Sequence, residues 1–203
     1  MRRLVLVVTA VATLAAARPA SAEIFGIFGQ AKIGYANGAG LGGDLKDANF
    51  FEGAKGFTYG ILVGAQILFL RGWIDHHQYT DFSNFKGTWT QFMLGSGFEL
   101  PLGDVSAGII PFNLGLTFGA GFGLGTGQQV TPPLDSGQVT DKGLVAEATP
   151  ALKYKFNSII ALGVEVPITV GLLWKSNAPV STSSFYTAYQ VKGLAFLEVS
   201  LGF

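Results

Sequence analysis

The sequence predicts an all-β fold: eight antiparallel strands closed into a transmembrane β-barrel, preceded by a cleavable signal peptide. Three observations carry that reading. Large apolar residues recur at every second position, the composition is glycine-rich and poor in charge, and the chain opens on an export leader. Of the 203 residues, 29 are Gly and 17 are Phe, and only 13% are charged. Such a chain is too apolar and aromatic to be disordered and too glycine-rich for a helical bundle.

The leader spans residues 1–22. Met1-Arg2-Arg3 is its basic start, Leu4 to Ala17 its apolar core, and Ala20-Ser21-Ala22 the small-residue cleavage site. Its apolar run is short for spanning a bilayer. One barrel over 23–203 then follows. Removing Arg2, Arg3 and Arg18 leaves ten basic and thirteen acidic residues, a net charge near −3. No basic block is present, which argues against a nucleic-acid partner. Cysteine is absent, so disulfides and thiolate metal sites are excluded, and no motif implies a cofactor.

Strand one, Ile24 to Ala36, places Phe25, Ile27, Ile33 and Tyr35 on one face and Gln30 and Lys32 on the other. Strand two, Phe57 to Leu70, sets Phe57, Tyr59, Ile61, Val63 and Phe69 against Thr58, Gly60 and Gln66. Strand three, Trp73 to Phe82, has no clean apolar face and rests on the need for an even strand count. Strand four, Thr88 to Leu100, sets Phe92, Leu94 and Phe98 against Gln91 and Glu99.

The stretch Val105 to Leu134 is uncharged and could pass for a membrane helix. Seven glycines and Pro111 within it argue otherwise, since an interior Gly costs about 1 kcal/mol and Pro about 3 in a helix. Ile110, Phe112, Leu114, Leu116, Phe118, Phe122 and Leu124 keep a period of two, which makes this strand five. Its Gly-x-Gly runs are not phosphate loops, because no helix follows.

Strand six, Leu144 to Phe156, opposes Leu152, Tyr154 and Phe156 to Glu147, Lys153 and Lys155. Strand seven, Ile159 to Trp174, opposes Leu162, Val164, Val166, Ile168 and Val170 to Glu165 and Thr169. Strand eight, Phe185 to Phe203, opposes Val191, Leu197, Val199 and Leu201 to Gln190, Lys192 and Glu198. Tight turns are predicted at Arg71-Gly72, at Pro101 to Asp104 and at Asn157-Ser158. Longer loops are predicted at Asn37 to Gly56, Ser83 to Gly87, Thr126 to Gly143 and Lys175 to Ser184.

Backbone groups in hydrocarbon need partners, so a membrane sheet must close. Aromatic residues fall near both ends of the apolar face, as two interfacial girdles would. Lys32, Glu99, Glu147, Lys153, Glu165, Lys192 and Glu198 then point into the lumen, where opposite signs pair. Eight strands leave an interior just wide enough for side chains to fill. A structural ion-pair core and a gate over a narrow pore are both compatible with those charges.

The last strand ends in a terminal Phe203 with apolar Leu201 and Val199 at alternate positions before it. This resembles the C-terminal signature of outer-membrane barrels, and the mature chain as a whole resembles the small barrels OmpX, OmpW and the OmpA membrane domain. The resemblance implies a bacterial outer-membrane location with both mature termini periplasmic. It further implies outer-membrane lipid and lipopolysaccharide as surroundings, and the barrel-assembly machinery as reader of Val199, Leu201 and Phe203. The expected function is non-enzymatic: an envelope structural or adhesion protein, or a narrow channel. Some eight-stranded barrels modify lipid A with a His, a Ser and an acid, for which His76 or His77 with Asp75, Asp81 and Ser83 are the candidates. Adjacent in a strand, the two histidines face opposite ways, and His77-Gln78-Tyr79 departs from the His-x-Ser-Asn arrangement of the lipid A deacylases. A third alternative is an anchor for a larger envelope assembly.

Overall fold

The computed structural model describes residues 25–42, 50–80, 85–102, 112–129, 139–175 and 185–202. The leader, Asp81, Ser83 and Phe203 lie outside them. The strands are β1 (Phe25–Gly42), β2 (Gly56–Ile67), β3 (Leu70–Thr80), β4 (Phe85–Pro101) and β5 (Phe112–Gln129), followed by β6 (Val139–Lys155), β7 (Ile160–Glu165), β8 (Ile168–Lys175) and β9 (Phe185–Gly202). A single helical turn, α1 (Phe50–Gly53), lies between β1 and β2. From β1 to β7 each strand pairs antiparallel with the next in sequence, β9 pairs with both β7 and β8, and β1 pairs with β9, which closes the ring.

The nine strands make eight passes, because β7 and β8 are two halves of one. Both pair with β6 on one side and β9 on the other. The predicted continuous strand seven is therefore broken at Val166-Pro167, since proline has no N–H to give the ladder. The ladder is patched around it: Val166 N–H donates to the Pro150 carbonyl at 2.9 Å, and Lys192 N–H to the Pro167 carbonyl at 3.0 Å. Side-chain alternation runs through the break undisturbed, with Val166 exposed and Pro167 buried.

One predicted turn is corrected. The β2–β3 reversal is at Leu68-Phe69, and Arg71 and Gly72 belong to β3, paired with Gln66 and Ala65. Leu68 adopts a φ of 54°, a conformation that favours glycine. Side chains steady it, as Gln66 donates to the Leu68 carbonyl at 2.7 Å and Ser96 to the Phe69 carbonyl at 2.7 Å. At the turn predicted over Pro101 to Asp104, Pro101 pairs with Asn113 and the Leu102 N–H donates to the Phe112 carbonyl at 2.7 Å, while Gly103 and Asp104 lie outside the described residues. At Asn157 the predicted turn is present, with the Asn157 carbonyl oxygen accepting from the Ile159 and Ile160 N–H groups at 2.8 and 2.7 Å.

The outside of the barrel is apolar: Ile33, Ile61, Val63, Leu94, Phe118, Leu144, Val164 and Leu197 are among many large residues left exposed. Aromatics cluster toward both ends. Phe112, Tyr154 and Phe156 stack near the turns, with centroids 5.6 and 4.8 Å apart. Phe122, Trp174 and Phe185 stack toward the loops at 5.9 and 5.7 Å. An 18-residue strand rising about 3.3 Å per residue at a tilt of about 40° reaches roughly 45 Å, some 15 Å beyond a hydrocarbon core. The excess is visible at the loop end, where the outward face turns polar. There Thr88 pairs with Thr126 at 3.0 Å and His76 with Thr90 at 2.8 Å.

Side chains occupy much of the inside. Inward aromatics lie over glycines of β5: a Cβ at Gly123 or Gly125 would run into the Trp89 ring, and one at Gly119 into Trp73. The glycine run of β5 is thus the space that two inward tryptophans of β3 and β4 occupy.

Candidate functional site

All seven charged residues that alternation directs inward lie in the lumen, and they form two clusters stacked along its axis. Nearest the turns, Lys153 is shared between Glu198 at 2.8 Å and Glu99 at 2.8 Å, and Lys155 reaches Glu99 at 2.9 Å. Gln30 donates to Glu198 at 2.6 Å. Glu99 sits at the mouth with its side chain 30% exposed, whereas Glu198 is buried.

Deeper in, Lys32 pairs with Glu165 at 2.8 Å and reaches Asp75 at 3.6 Å. Lys192 faces the same Asp75 at 3.8 Å, and His77 meets it at 3.1 Å. Glu147 is satisfied by neutral donors, namely Gln91 and Thr169 at 2.8 Å and Thr149 at 3.1 Å. Buried ions carry a desolvation cost of several kcal/mol each, so mutual pairing is a condition of their burial. Between the clusters a cavity of about 40 Å³ remains, lined in part by Gln30, Arg71, Thr149 and Lys153.

Toward the loops the lumen changes character. The α1 turn folds into the barrel mouth, where Phe50, Phe51 and Ala54 are fully buried. The Phe50 ring lies 5.3 Å from Trp89 and 5.6 Å from Tyr79, and Phe51 lies 4.7 Å from Trp89. A carboxylate fixes this cork: Asp141 Oδ2 accepts from the Phe50 N–H at 2.7 Å and from the Tyr186 hydroxyl at 2.6 Å. Tyr79 donates to Gln190 at 2.8 Å, and the Gln190 amide donates to the Ala54 carbonyl at 3.4 Å.

Sequence reasoning missed several of these residues. β3 lacked an apolar face because its inward row is Trp73, Asp75, His77 and Tyr79, while His76, Gln78 and Thr80 line the polar outer wall. Arg71, taken for a turn residue, points inward with its guanidinium 4.2 Å from the Phe28 ring centroid. Asp141, Phe50 and Phe51 fell in segments predicted as outer loops. The signal that could have found the cork is two adjacent phenylalanines in a glycine-rich connection, facing an inward Trp89 opposite a glycine run.

The candidate histidines separate as adjacency requires. His76 faces outward and hydrogen-bonds Thr90, while His77 is buried between Asp75 and Thr58, whose hydroxyl is 3.4 Å from Nδ1. Thr58, His77 and Asp75 have the order of a nucleophile, a base and an orienting acid. The Thr58 hydroxyl, however, donates to the Gln78 carbonyl at 3.0 Å, and all three residues are fully buried. No cluster of three or more potential metal ligands occurs among the described residues.

No family model and no curated protein matches the sequence. Among solved structures the chain is similar to Neisserial surface protein A (NspA), at a TM-score of 0.54 and 15% identity, covering 86% of this chain and 96% of that one. It shares the small eight-stranded outer-membrane barrel fold. Lower similarity extends to Ail, the attachment invasion locus protein of Yersinia pestis, at a TM-score of 0.41 and 8% identity over 86% of this chain and 99% of that one. The outer membrane protein OprG from Pseudomonas aeruginosa matches at 0.42 and 11%, over 88% and 96%.

Proposed function

We propose that this protein is a non-enzymatic barrel of the bacterial outer membrane with a closed lumen, serving as an envelope scaffold that presents its loops outward. The carrying observation is the occupation of the lumen at successive levels, from the Glu99–Lys153–Glu198 cluster through Lys32, Asp75 and Lys192 to Phe50 and Phe51, with only the cavity of about 40 Å³ between the clusters. An ion crossing that path would have to dissolve two buried charge clusters and displace an aromatic cork. Planar-bilayer recording of the purified protein is expected to be silent. Discrete conductance steps in the wild type would overturn the closed reading in favour of a narrow channel.

The location rests on the exposed apolar belt and its two aromatic bands, which suit a bilayer and its interfaces. Membrane fractionation tests it, and recovery as a soluble species would sink it. The non-enzymatic reading rests on the burial of His77 with Asp75 and Thr58, beyond the reach of a lipid substrate. Identical lipid A mass spectra with and without the protein are the expected result. Outward-facing Val199 and Leu201 on the closing strand support recognition by the barrel-assembly machinery. A Leu201→Asp substitution should then lower the folded fraction in cells while leaving refolding of pure protein into detergent intact. Unchanged folding in cells would count against that partner.

A further inference from the structure

From the way the cork is held, we infer that the loop end of the barrel is a binding chamber for a small arylalkylamine or its amide, with Phe50 as a built-in stand-in for that ligand. Two kinds of contact tie Phe50 to the barrel wall. Its ring packs between Trp89 and Tyr79 at centroid distances of 5.3 and 5.6 Å. Its backbone N–H donates to Asp141 at 2.7 Å, on an oxygen that Tyr186 also engages at 2.6 Å. The atoms that make these contacts are a nitrogen, two carbons and a phenyl ring, which together are the skeleton of 2-phenylethylamine. A ligand of that class can repeat both contacts without the rest of the chain.

The chamber is built around its occupant. A Cβ at Gly38 would meet the Tyr189 carbonyl at 2.7 Å and the backbone and Cβ of Phe51 at 3.0 and 3.2 Å, and a Cβ at Gly125 would lie 2.6 Å from the Trp89 ring and 2.9 Å from the Phe50 ring. Those two wall positions are bare where the Phe51 backbone and the Phe50 ring sit. The polar anchor belongs to the wall rather than to the cork, since Asp141 and Tyr186 stand on β6 and β9. The site also lies at a height that a water-borne molecule can reach. Tyr79 and Trp89 alternate along their strands with Gln78, Thr88 and Thr90, the outward polar residues of the wall above the apolar belt. Mass action sets the terms of exchange: a tethered occupant acts at an effective concentration in the millimolar range. A free ligand must therefore compete in the native protein and binds more tightly once the stand-in rings are gone. This holds whether or not the barrel conducts.

Titration of the folded barrel in detergent with N-acetyl-2-phenylethylamine, read by tryptophan fluorescence, tests the inference. The double variant Phe50→Ala/Phe51→Ala is expected to bind the probe saturably and at least tenfold more tightly than the wild type. Adding Asp141→Leu should weaken the N-acetyl probe at least tenfold while leaving ethylbenzene, which has the ring alone, little changed. A Trp89→Phe background should remove the fluorescence response, since Trp73 and Trp174 do not line the chamber. Circular dichroism of each variant establishes that the barrel is folded, and retained ethylbenzene binding establishes that the chamber is. Absence of saturable binding in a folded double variant would overturn the chamber. Equal affinity of wild type and double variant would overturn the stand-in role, and indifference to Asp141→Leu would overturn the amine or amide class.

Discussion

The two halves of the lumen are lined by different physics. Toward the turns, the interior is filled by charges that strands of the wall hold against one another. Toward the loops, it is filled by two phenylalanines that belong to no strand and are pinned by one carboxylate. The charged half is part of the wall, so disturbing it disturbs the barrel. The aromatic half is an inserted piece, so it can be lost without opening the sheet. Stability measured across the two halves should therefore separate.

The largest effect is expected at Asp75, the shared counter-charge of Lys32 and Lys192 and the hydrogen-bond partner of His77. Lys32 keeps Glu165 at 2.8 Å when Asp75 is lost, but fully buried Lys192 has no other ion pair among the described residues. Asp75→Leu should cost about 3–5 kcal/mol, the range for stranding a buried charge. Urea unfolding of the barrel in lipid vesicles measures it. A second substitution, Lys192→Met, should restore most of the loss, because removing both charges removes the stranded ion. If the double variant is as weak as Asp75→Leu alone, the cluster is not held by charge balance.

Next comes Gly125→Val, which puts a branched side chain where Trp89 and Phe50 pack. Overpacking of this kind costs about 1–3 kcal/mol. Its signature should be local: the α1 segment becomes cleavable by protease while the urea midpoint falls modestly. Phe50→Ala/Phe51→Ala should give the same cleavage with a smaller midpoint shift, because α1 adds no rung to the sheet. A midpoint collapse comparable to Asp75→Leu would show that cork and wall fold as one unit, and the contrast between the halves would fail.

The same contrast governs what the sequence could reveal. Inward charges on β1, β4, β6, β7 and β9 were legible because a strand alternates faces, and an ion on one face among apolar residues on the other has only one place to go. β3 was not, since both its faces carry polar groups: Asp75 and His77 inward, His76 and Gln78 on wall that stands clear of the bilayer. The Val166-Pro167 break left no trace in the alternation, because it removes hydrogen bonds and not side-chain direction. The cork was invisible for a different reason. Phe50 and Phe51 are neighbours in a connection without periodicity, and only the three-dimensional meeting of that connection with Trp89, Tyr79 and Asp141 shows where they belong.

The smallest effect tests whether depth, rather than charge alone, sets the energetics of the charged half. Glu99 and Glu198 are both bonded to Lys153 at 2.8 Å, yet Glu99 lies at the mouth and Glu198 within. In Glu99→Gln, Lys153 keeps Glu198, and Lys155, with its side chain 43% exposed, is solvated by water. The loss should stay below about 1 kcal/mol, as for exposed ion pairs, and should shrink further as salt is raised. Glu198→Gln removes the buried partner of Lys153 and the acceptor of Gln30 at once, so it should cost several times more and respond weakly to salt. Paired urea titrations at low and high ionic strength compare the two directly. Equal costs would mean that the lumen is uniformly wet, and the buried charges would then have no reason to be so closely paired.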